Sequence, residues 1–274
     1  MHCNCAKQKS FAFALRDAQS CLEAHWVDET ASTNDDVKEW VRNAQKDVRI
    51  ALVADRQSAG RGTRGRSWTA PAASVLLTVS VPLSVSQDCI SGLPLVVGAA
   101  CAESLWTIND NVRLKWPNDL WIGNGKVAGI LCELVRNRAY RLHEVVGIGV
   151  NMCLGDKGVP TTDVPAMALL AQLPDARQLE VLRVRTAAGL GASIERVCNR
   201  YSRSMVKGLQ ARWSQLDALA DKPVELTLPS GEILQGRTAG ISDGGELLFI
   251  DALGRTRMFA DARIRPLLIN REKQ

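Results

Sequence analysis

The first strong periodicity in the chain follows Ser32-Thr33-Asn34-Asp35. Behind that N-capping serine, Val37, Trp40, Val41 and Ala44 recur at helical spacing. Upstream, residues 1–25 carry no clear periodicity and fit either a short helix or a loose arm. Ile50-Ala-Leu-Val-Ala54 has the length and composition of a short buried strand, and Asp55 to Ala73, rich in Gly, Arg, Ser and Thr, reads as a loop. Ser74 to Val81 alternates and is β-branched, which predicts a strand. Pro94 to Trp106 carries Ala and Leu at three- and four-residue steps, which predicts a helix.

Val112 to Trp116 reads as a strand stopped by Pro117-Asn118-Asp119. Leu120-Trp-Ile122 and Lys126 to Val135 flank Gly123-Asn124-Gly125, the strongest hairpin signal in the sequence. Leu142 to Val150 is apolar almost throughout, as expected of a strand covered on both faces. Met152 to Val164 reads as a loop with Gly155, Gly158 and Pro160, and Gln178 to Leu219 as mostly helix. From Lys222 onward, short alternating runs are punctuated by Pro229-Ser-Gly231, Asp243-Gly-Gly245 and Gly254, which predicts a small all-β unit. The expected organisation is an N-terminal arm over 1–25, an α+β domain over 26–220 and a β domain over 221–274, with the boundary near Ala220–Asp221.

Composition narrows the class. With 274 residues, 46% of them hydrophobic and 23% charged, the chain matches an ordinary globular protein with one large core and a small accessory unit. Lys7 and Lys9 precede Phe11-Ala-Phe-Ala-Leu15, but that apolar stretch is short and broken by Arg16 and Asp17, so no targeting segment is read and a cytoplasmic location is expected. No apolar run approaches the roughly 20 residues of a membrane span. The eight cysteines are scattered, and Cys101 and Cys132 sit in apolar segments where a thiol packs as a small hydrophobe. Cys3 and Cys5 lack a partner pair at zinc spacing, so no metal site is expected. A net charge of +5 permits anionic substrates without arguing for nucleic acid.

Chemistry concentrates in a few segments. In Gln57-Ser-Ala-Gly-Arg-Gly-Thr-Arg-Gly-Arg-Ser-Trp68, glycines let the backbone approach a ligand while Arg61, Arg64 and Arg66 offer forks for phosphate or carboxylate. The loop matches neither the Walker nor the dinucleotide pattern, and alone it reads equally as a solvated basic loop or an RNA-contacting segment. Lys115-Trp-Pro-Asn-Asp119 and Lys126-Val-Ala-Gly-Ile130 each place a lysine beside a turn, singly an ordinary surface arrangement. Gly147-Ile-Gly-Val-Asn151 puts two glycines in a buried strand, where something packed flat on the backbone, a bulge or a close sheet–helix contact explains them.

Taken in order, these segments resemble biotin protein ligases. The signature runs Ser32-Thr-Asn34, Gln57, Gly60-Arg-Gly62, Gly65-Arg66, Trp68, Lys115 to Asp119, Lys126 to Ile130 and Gly147 to Asn151, within a similarity extending from about Val27 to Pro266. The resemblance implies an α+β fold: a mixed-sheet catalytic domain of the biotin/lipoate ligase type, followed by a small SH3-like β-barrel. It implies an enzyme that joins biotin and ATP into biotinyl-5'-AMP and then moves biotin to a lysine of a biotin carboxyl carrier protein. Mg²⁺ would accompany ATP, and no tightly bound cofactor is implied.

On the same resemblance, Ser32, Thr33, Asn34 and Gln57 hold the biotin ring head, with Gly60, Gly62 and Gly129 forming the pocket around it. Lys126 and Arg61 are the catalytic cations and touch both substrates. The adenylate falls to Gly62, Thr63, Arg64, Arg66 and Trp68, to Lys115, Asn118 and Asp119, and to Gly147, Gly149 and Asn151. The family's arginine is replaced here by Thr63, which bears on adenylate retention. The chain before Ser32 is too short for a winged-helix domain, so no DNA binding or repressor role is expected, and the assembly is expected to be a monomer or weak homodimer. Competing readings are a lipoate- or octanoate-transferring cousin and a nucleic-acid-binding module built on the arginine–glycine loop.

Overall fold

The computed structural model describes residues 4–84, 90–154 and 164–267. Thus residues 155–163 of the expected Met152–Val164 loop, with Gly155, Gly158 and Pro160, lie outside the described residues. The chain runs α1 (Cys5–Asp17), β1 (Glu23–Thr30), α2 (Thr33–Asn43), β2 (Ile50–Gln57), β3 (Ala73–Pro82), α3 (Leu93–Leu105) and β4 (Val112–Lys115). It continues through β5 (Asp119–Ile122), β6 (Gly125–Arg136), β7 (Leu142–Cys153) and α4 (Ala176–Arg200). Short helices α5 (Arg203–Gln210) and α6 (Trp213–Leu216) lead to strands β8 (Pro223–Thr227), β9 (Ile233–Ile241), β10 (Leu247–Asp251), β11 (Thr256–Phe259) and β12 (Arg263–Pro266).

The first seven strands form one mixed sheet in the order β1-β2-β3-β7-β6-β5-β4. Only β1 and β2 pair in parallel; every other neighbouring pair in it is antiparallel. The all-apolar strand expected over Leu142–Val150 is β7, at the centre of the sheet and buried at every position. One sheet face, carrying Val75, Leu77, Val79, Ile148, Val150, Ala128 and Ile130, joins the main apolar core with α1, α3 and α4. On the other face α2 covers only part of the surface, through a smaller cluster with Val37, Val41, Leu52, Ala54 and Val145. The rest of that face is where a ligand has room.

Of the two readings of residues 1–25, the described part, from Asn4 on, takes the short helix and not the loose arm. Asn4 accepts from the Lys7 N–H and caps α1, while Phe11 and Leu15 bury completely in the main core, with Phe11 edge-on to Trp26 at 5.7 Å. The weak periodicity has a cause: α1 buries a narrow stripe, and its exposed Phe13 blurs the pattern. The strand that follows, β1, was not expected at all, because Glu23, Asp28 and Glu29 are exposed and interrupt its apolar positions. Lys7 fixes the helix to β2 through Asp55 at 2.6 Å, and Arg183 of α4 reaches the same carboxylate at 3.0 Å. The long helix expected over Gln178–Leu219 is broken into α4, α5 and α6.

The C-terminal unit is a five-stranded antiparallel sheet in the order β11-β10-β9-β8-β12. Its Val224, Leu226, Ile241, Leu247, Phe249 and Ile264 belong to the same apolar cluster as the first sheet. Polar bonds add register, among them Trp116 Nε1 to the Gly245 carbonyl at 3.0 Å and Gln210 Nε2 to the Ile241 carbonyl at 2.8 Å.

One buried acid has a consequence for stability. Glu144 sits on the core face of β7, 3% exposed, and burial pushes its carboxyl up to about 8 despite a bond with Cys132. It is therefore protonated in the folded chain at pH values where the unfolded chain has already ionised it. Stability that is full below the ordinary glutamate range is lost as pH rises towards about 8. Unfolding titrations at pH ~5 and ~7.5 should show a loss on the order of a few kcal/mol, which Glu144→Gln removes. An unchanged slope in that variant would mean Glu144 ionises freely in the fold.

Candidate active site

The uncovered sheet face floors a cavity of about 660 Å³. Cross-strand register explains why it is open. Leu76, Gly149, Gly129 and Asp119 lie opposite one another across β3, β7, β6 and β5, and the next row is Thr78, Gly147 and Leu131. Glycines stand at the centre of both rows, where side chains would fill the space. A Cβ on Gly147 would collide with the Asn34 amide, and one on Gly149 with the Trp68 indole. Of the meanings left open for these glycines, Gly147 shows the close sheet–helix contact, to Asn34 of α2, and Gly149 shows another group, the Trp68 indole, packed on the backbone.

The polar end is built by the N-terminus of α2. Ser32 caps the helix by accepting from Asp35 N–H, so Thr33 and Asn34 face the sheet. Gln57 Oε1, at the end of β2, accepts from the Thr33 N–H at 2.8 Å and from its hydroxyl at 2.9 Å. Asn34 Nδ2 donates to Glu133 at 3.0 Å, and its Oδ1 lies 2.7 Å from the Thr78 hydroxyl. Lys38 bridges Glu133 at 2.8 Å and Asp35 at 2.9 Å, and Arg61 joins them at 2.5 Å from Asp35 and 3.6 Å from Glu133. Burial pushes both carboxyls up. The bonds from Lys38 and Arg61 to Asp35, and from Lys38 and Asn34 to Glu133, outweigh it and hold both below the usual range. Both acids stay ionised, and the constellation is fixed before any ligand arrives.

The glycine–arginine loop folds as a narrow hairpin rather than a free loop. Trp68 N–H donates to the Gly60 carbonyl at 2.8 Å and Gly62 N–H to the Arg66 carbonyl at 2.7 Å, with Arg64 at φ 59° in the turn. Arg66 turns back on Thr63, donating to its hydroxyl at 3.2 Å and its carbonyl at 3.3 Å. Arg64 points away from the cavity and pairs with Asp261 beside β12. Gly60 is also off the cavity wall; a Cβ there would strike the Trp68 carbonyl, so its part is to close the base of the hairpin.

At the other end, Lys126 Nζ lies 2.5 Å from Asp119 and 5.3 Å from the centroid of the Trp68 ring. Asn118 is spent on the backbone, its Nδ2 donating to the Ile130 carbonyl at 2.7 Å. Lys115 is buried behind Asp119 at 3.9 Å and does not reach the wall. Two buried polar atoms by the floor have no partner among the described residues: Trp68 Nε1 and Asn151 Oδ1. Asn151 Nδ2 faces the Met167 carbonyl at 3.3 Å, so the orphan carbonyl oxygen is the group it leaves for a ligand.

The structure thus gathers the expected residues on one cavity wall, save Gly60, Arg64 and Lys115. Sequence reasoning missed Lys38, Thr78, Glu133 and Arg263. Thr78 and Glu133 carry a signal in hindsight, as polar residues on the inner face of strands otherwise built of Val, Leu and Ile. Arg263 carries none, because Arg263-Ile-Arg265 reads as ordinary strand alternation far along the chain.

The chain is similar to known proteins. A model of the biotin/lipoate A/B protein ligase family matches residues 26–151. The chain is 33% identical over 207 residues to the bifunctional ligase/repressor BirA of Salmonella typhimurium, covering 72% of this chain but only 61% of that protein. It is 29% identical over 259 residues to the biotin–[acetyl-CoA-carboxylase] ligase of Mycobacterium tuberculosis, covering 89% of this chain and 90% of that one. The biotin protein ligase of Aquifex aeolicus, solved with biotin and ATP, shares the fold with a TM-score of 0.66 at 24% identity, over 88% of this chain and 97% of that one. Residues 26–151 form a domain of the biotin/lipoate A/B protein ligase family, and they supply every polar side chain of the cavity wall except Arg263.

Proposed function

We propose that this chain is an ATP-dependent biotin protein ligase. The observation that carries the reading is one cavity with two chemically different ends over a glycine floor. Thr33, Asn34 and Gln57 offer donors and acceptors for a ureido ring, and Ser32 and Gly62 border the same end. Lys126, on the far side of Gly129, faces the ring's carboxylate tail. Gly149 and Trp68 leave a flat slot for adenine, whose amine suits the orphan Asn151 oxygen. Gly147 belongs with the polar end, since it makes room for Asn34.

In the first step a biotin carboxylate oxygen attacks the α-phosphorus of ATP, forming the mixed anhydride and releasing pyrophosphate. Two anions meet, so Lys126 lowers the barrier by meeting charge that builds in flight, and Arg61 joins it by exchanging Asp35 for the substrate. In the second, the amine of a carrier-protein lysine attacks the biotinyl carbonyl carbon, AMP leaves, and the amine sheds a proton. A biotin carboxyl carrier protein is the acceptor we assign. Asp119 is the carboxylate of the cavity wall among the described residues, and with substrate phosphates it suits a Mg²⁺ ion, which would neutralise phosphate charge. The five-stranded sheet, with β12 returning beside β8, is read as the SH3-like unit of such ligases.

A lipoate- or octanoate-using relative of this fold would need an apolar cavity end where Thr33, Asn34 and Gln57 stand. ATP–pyrophosphate exchange with each acid offered separately decides between them. Biotin should drive exchange and the other two should not, and Lys126→Ala should lower the biotin-driven rate by at least ~100-fold. Exchange driven equally by octanoate would overturn the reading.

Thr63 generates a second expectation. Its hydroxyl already accepts from Arg66, and Arg64 is tied to Asp261, although that exposed pair is worth only about 0–1 kcal/mol. A charge-assisted bond from an arginine at this place would add about 1.5–3 kcal/mol to adenylate binding. Thr63→Arg should therefore slow release of biotinyl-adenylate by roughly tenfold, measured by trapping free adenylate with hydroxylamine. Equal release rates would show that Arg66 or Arg64 already holds the phosphate.

A further inference from the structure

Lys38 is a lysine where α2 presses on the sheet, and its side chain is only 7% exposed. A buried ammonium persists when it is paired. This one is paired twice, with Glu133 of β6 at 2.8 Å and with Asp35, one turn earlier on its own helix, at 2.9 Å. Arg61 of the hairpin touches the same two carboxylates, at 2.5 Å from Asp35 and 3.6 Å from Glu133. Two cations and two carboxylates therefore share one cluster with no net charge. Their positions differ. The Arg61 side chain is half-exposed on the cavity wall, whereas Lys38 is buried and does not reach the wall.

Two demands fall on Arg61. It meets the charge of the reacting anions, yet Asp35 holds it. A backbone bridge between Arg61 and Ser67 fixes its main chain, so the exchange is a motion of the side chain alone. The cost of that motion depends on what Arg61 leaves behind. With Lys38 in place, Asp35 and Glu133 each keep a cation within 2.9 Å, and Glu133 also keeps the Asn34 amide at 3.0 Å. Without Lys38, departure of Arg61 would leave two neighbouring carboxylates unpaired, and like charges in a partly buried site repel. Arg61 would then stay on its carboxylates.

We propose that Lys38 is a positioning residue for adenylation: it neutralises Asp35 and Glu133 in place of Arg61 and so releases the guanidinium to the substrate. This rests on the ligase reading, in which Arg61 meets the reacting anions. Lys38 touches no substrate atom and acts through Arg61. Glu133 keeps its bond to Asn34 throughout, so biotin binding is separate from the release.

The test compares the wild type with Lys38→Met, Lys38→Arg, Asp35→Asn and the double variant Lys38→Met/Asp35→Asn, each as the full chain with its thermal unfolding. One readout is biotin-driven ATP–pyrophosphate exchange, with calorimetric biotin affinity beside it. The other is the rate at which phenylglyoxal modifies Arg61, mapped by mass spectrometry, since that reaction needs a guanidinium free of its carboxylate. Lys38→Met should lower kcat of exchange about tenfold and slow modification of Arg61, while biotin affinity stays within about twofold. Lys38→Arg keeps the charge and should keep most of the rate. Adding Asp35→Asn to Lys38→Met should recover part of the lost rate, because one carboxylate no longer holds Arg61; two merely structural losses would add. Asp35 is half-exposed, so Asp35→Asn alone folds whatever Lys38→Met does. It should speed modification of Arg61 by up to about fivefold, the worth of an exposed pair. An unchanged kcat in Lys38→Met, a double variant no faster than Lys38→Met, or Arg61 modified at the wild-type rate in Asp35→Asn would each overturn the proposal. If biotin drives no exchange in the wild type while Lys38→Met still protects Arg61, the ligase reading fails and the release of Arg61 by Lys38 stands.

Discussion

A β-sheet buries one face against helices and must do something with the other. Here the central strand β7 lies between β3 and β6, and α2 covers only part of the second face. An ordinary strand would project Val or Ile into the remainder and close it. Gly147, Gly149 and Gly129 leave it bare instead, at the expense of strand propensity and side-chain packing. The bare floor lets Asn34 and Trp68 lie flat against backbone, and it sets the depth of the cavity. Everything chemical in the site is arranged around that missing volume.

The two ends of the cavity are held by opposite means. At the α2 end, cations and carboxylates neutralise one another: Lys38 and Arg61 with Asp35 and Glu133, keeping Asn34 and Thr33 in fixed orientation. That end binds by hydrogen-bond geometry and carries little net charge. At the β5–β6 end Asp119 holds Lys126 at 2.5 Å, with Lys115 buried behind it at 3.9 Å. On the proposed reading, the neutral ring head goes to the first end and the nucleotide to the second. The Arg64–Asp261 pair ties the hairpin over the cavity to the second sheet.

How much of this was legible in the sequence depends on the range of the interaction. Local signals were read well: Ser32 as a cap, Gly123-Asn124-Gly125 as a hairpin turn and Leu142 to Val150 as a strand buried on both faces are all in place. The motif residues were legible because their types are odd for their setting, such as paired glycines in a buried strand. What failed was long-range. Phe11 and Leu15 bury only because Trp26 and α4 meet them, and nothing near them in sequence announces it. Lys38 and Glu133 are 95 residues apart, and Arg64 and Asp261 are 197. Such pairs follow from the folded sheet and its register. The mixed sheet itself followed from the resemblance more than from periodicity, since β1 and its parallel pairing with β2 went unread.

The central claim is that the bare floor is what makes the ligand site, so the decisive measurement puts volume back into it. Gly147→Ala adds one methyl group where the Asn34 amide now lies, forcing that amide off Glu133 and Thr78. Each lost bond is worth about 1 kcal/mol, so calorimetric biotin affinity should fall by at least ~10-fold. The unfolding midpoint should fall by only about a few degrees, because alanine suits a strand better than glycine does and offsets part of the two lost bonds. Biotin binding to Gly147→Ala at wild-type affinity, in a chain that folds normally, would contradict the account.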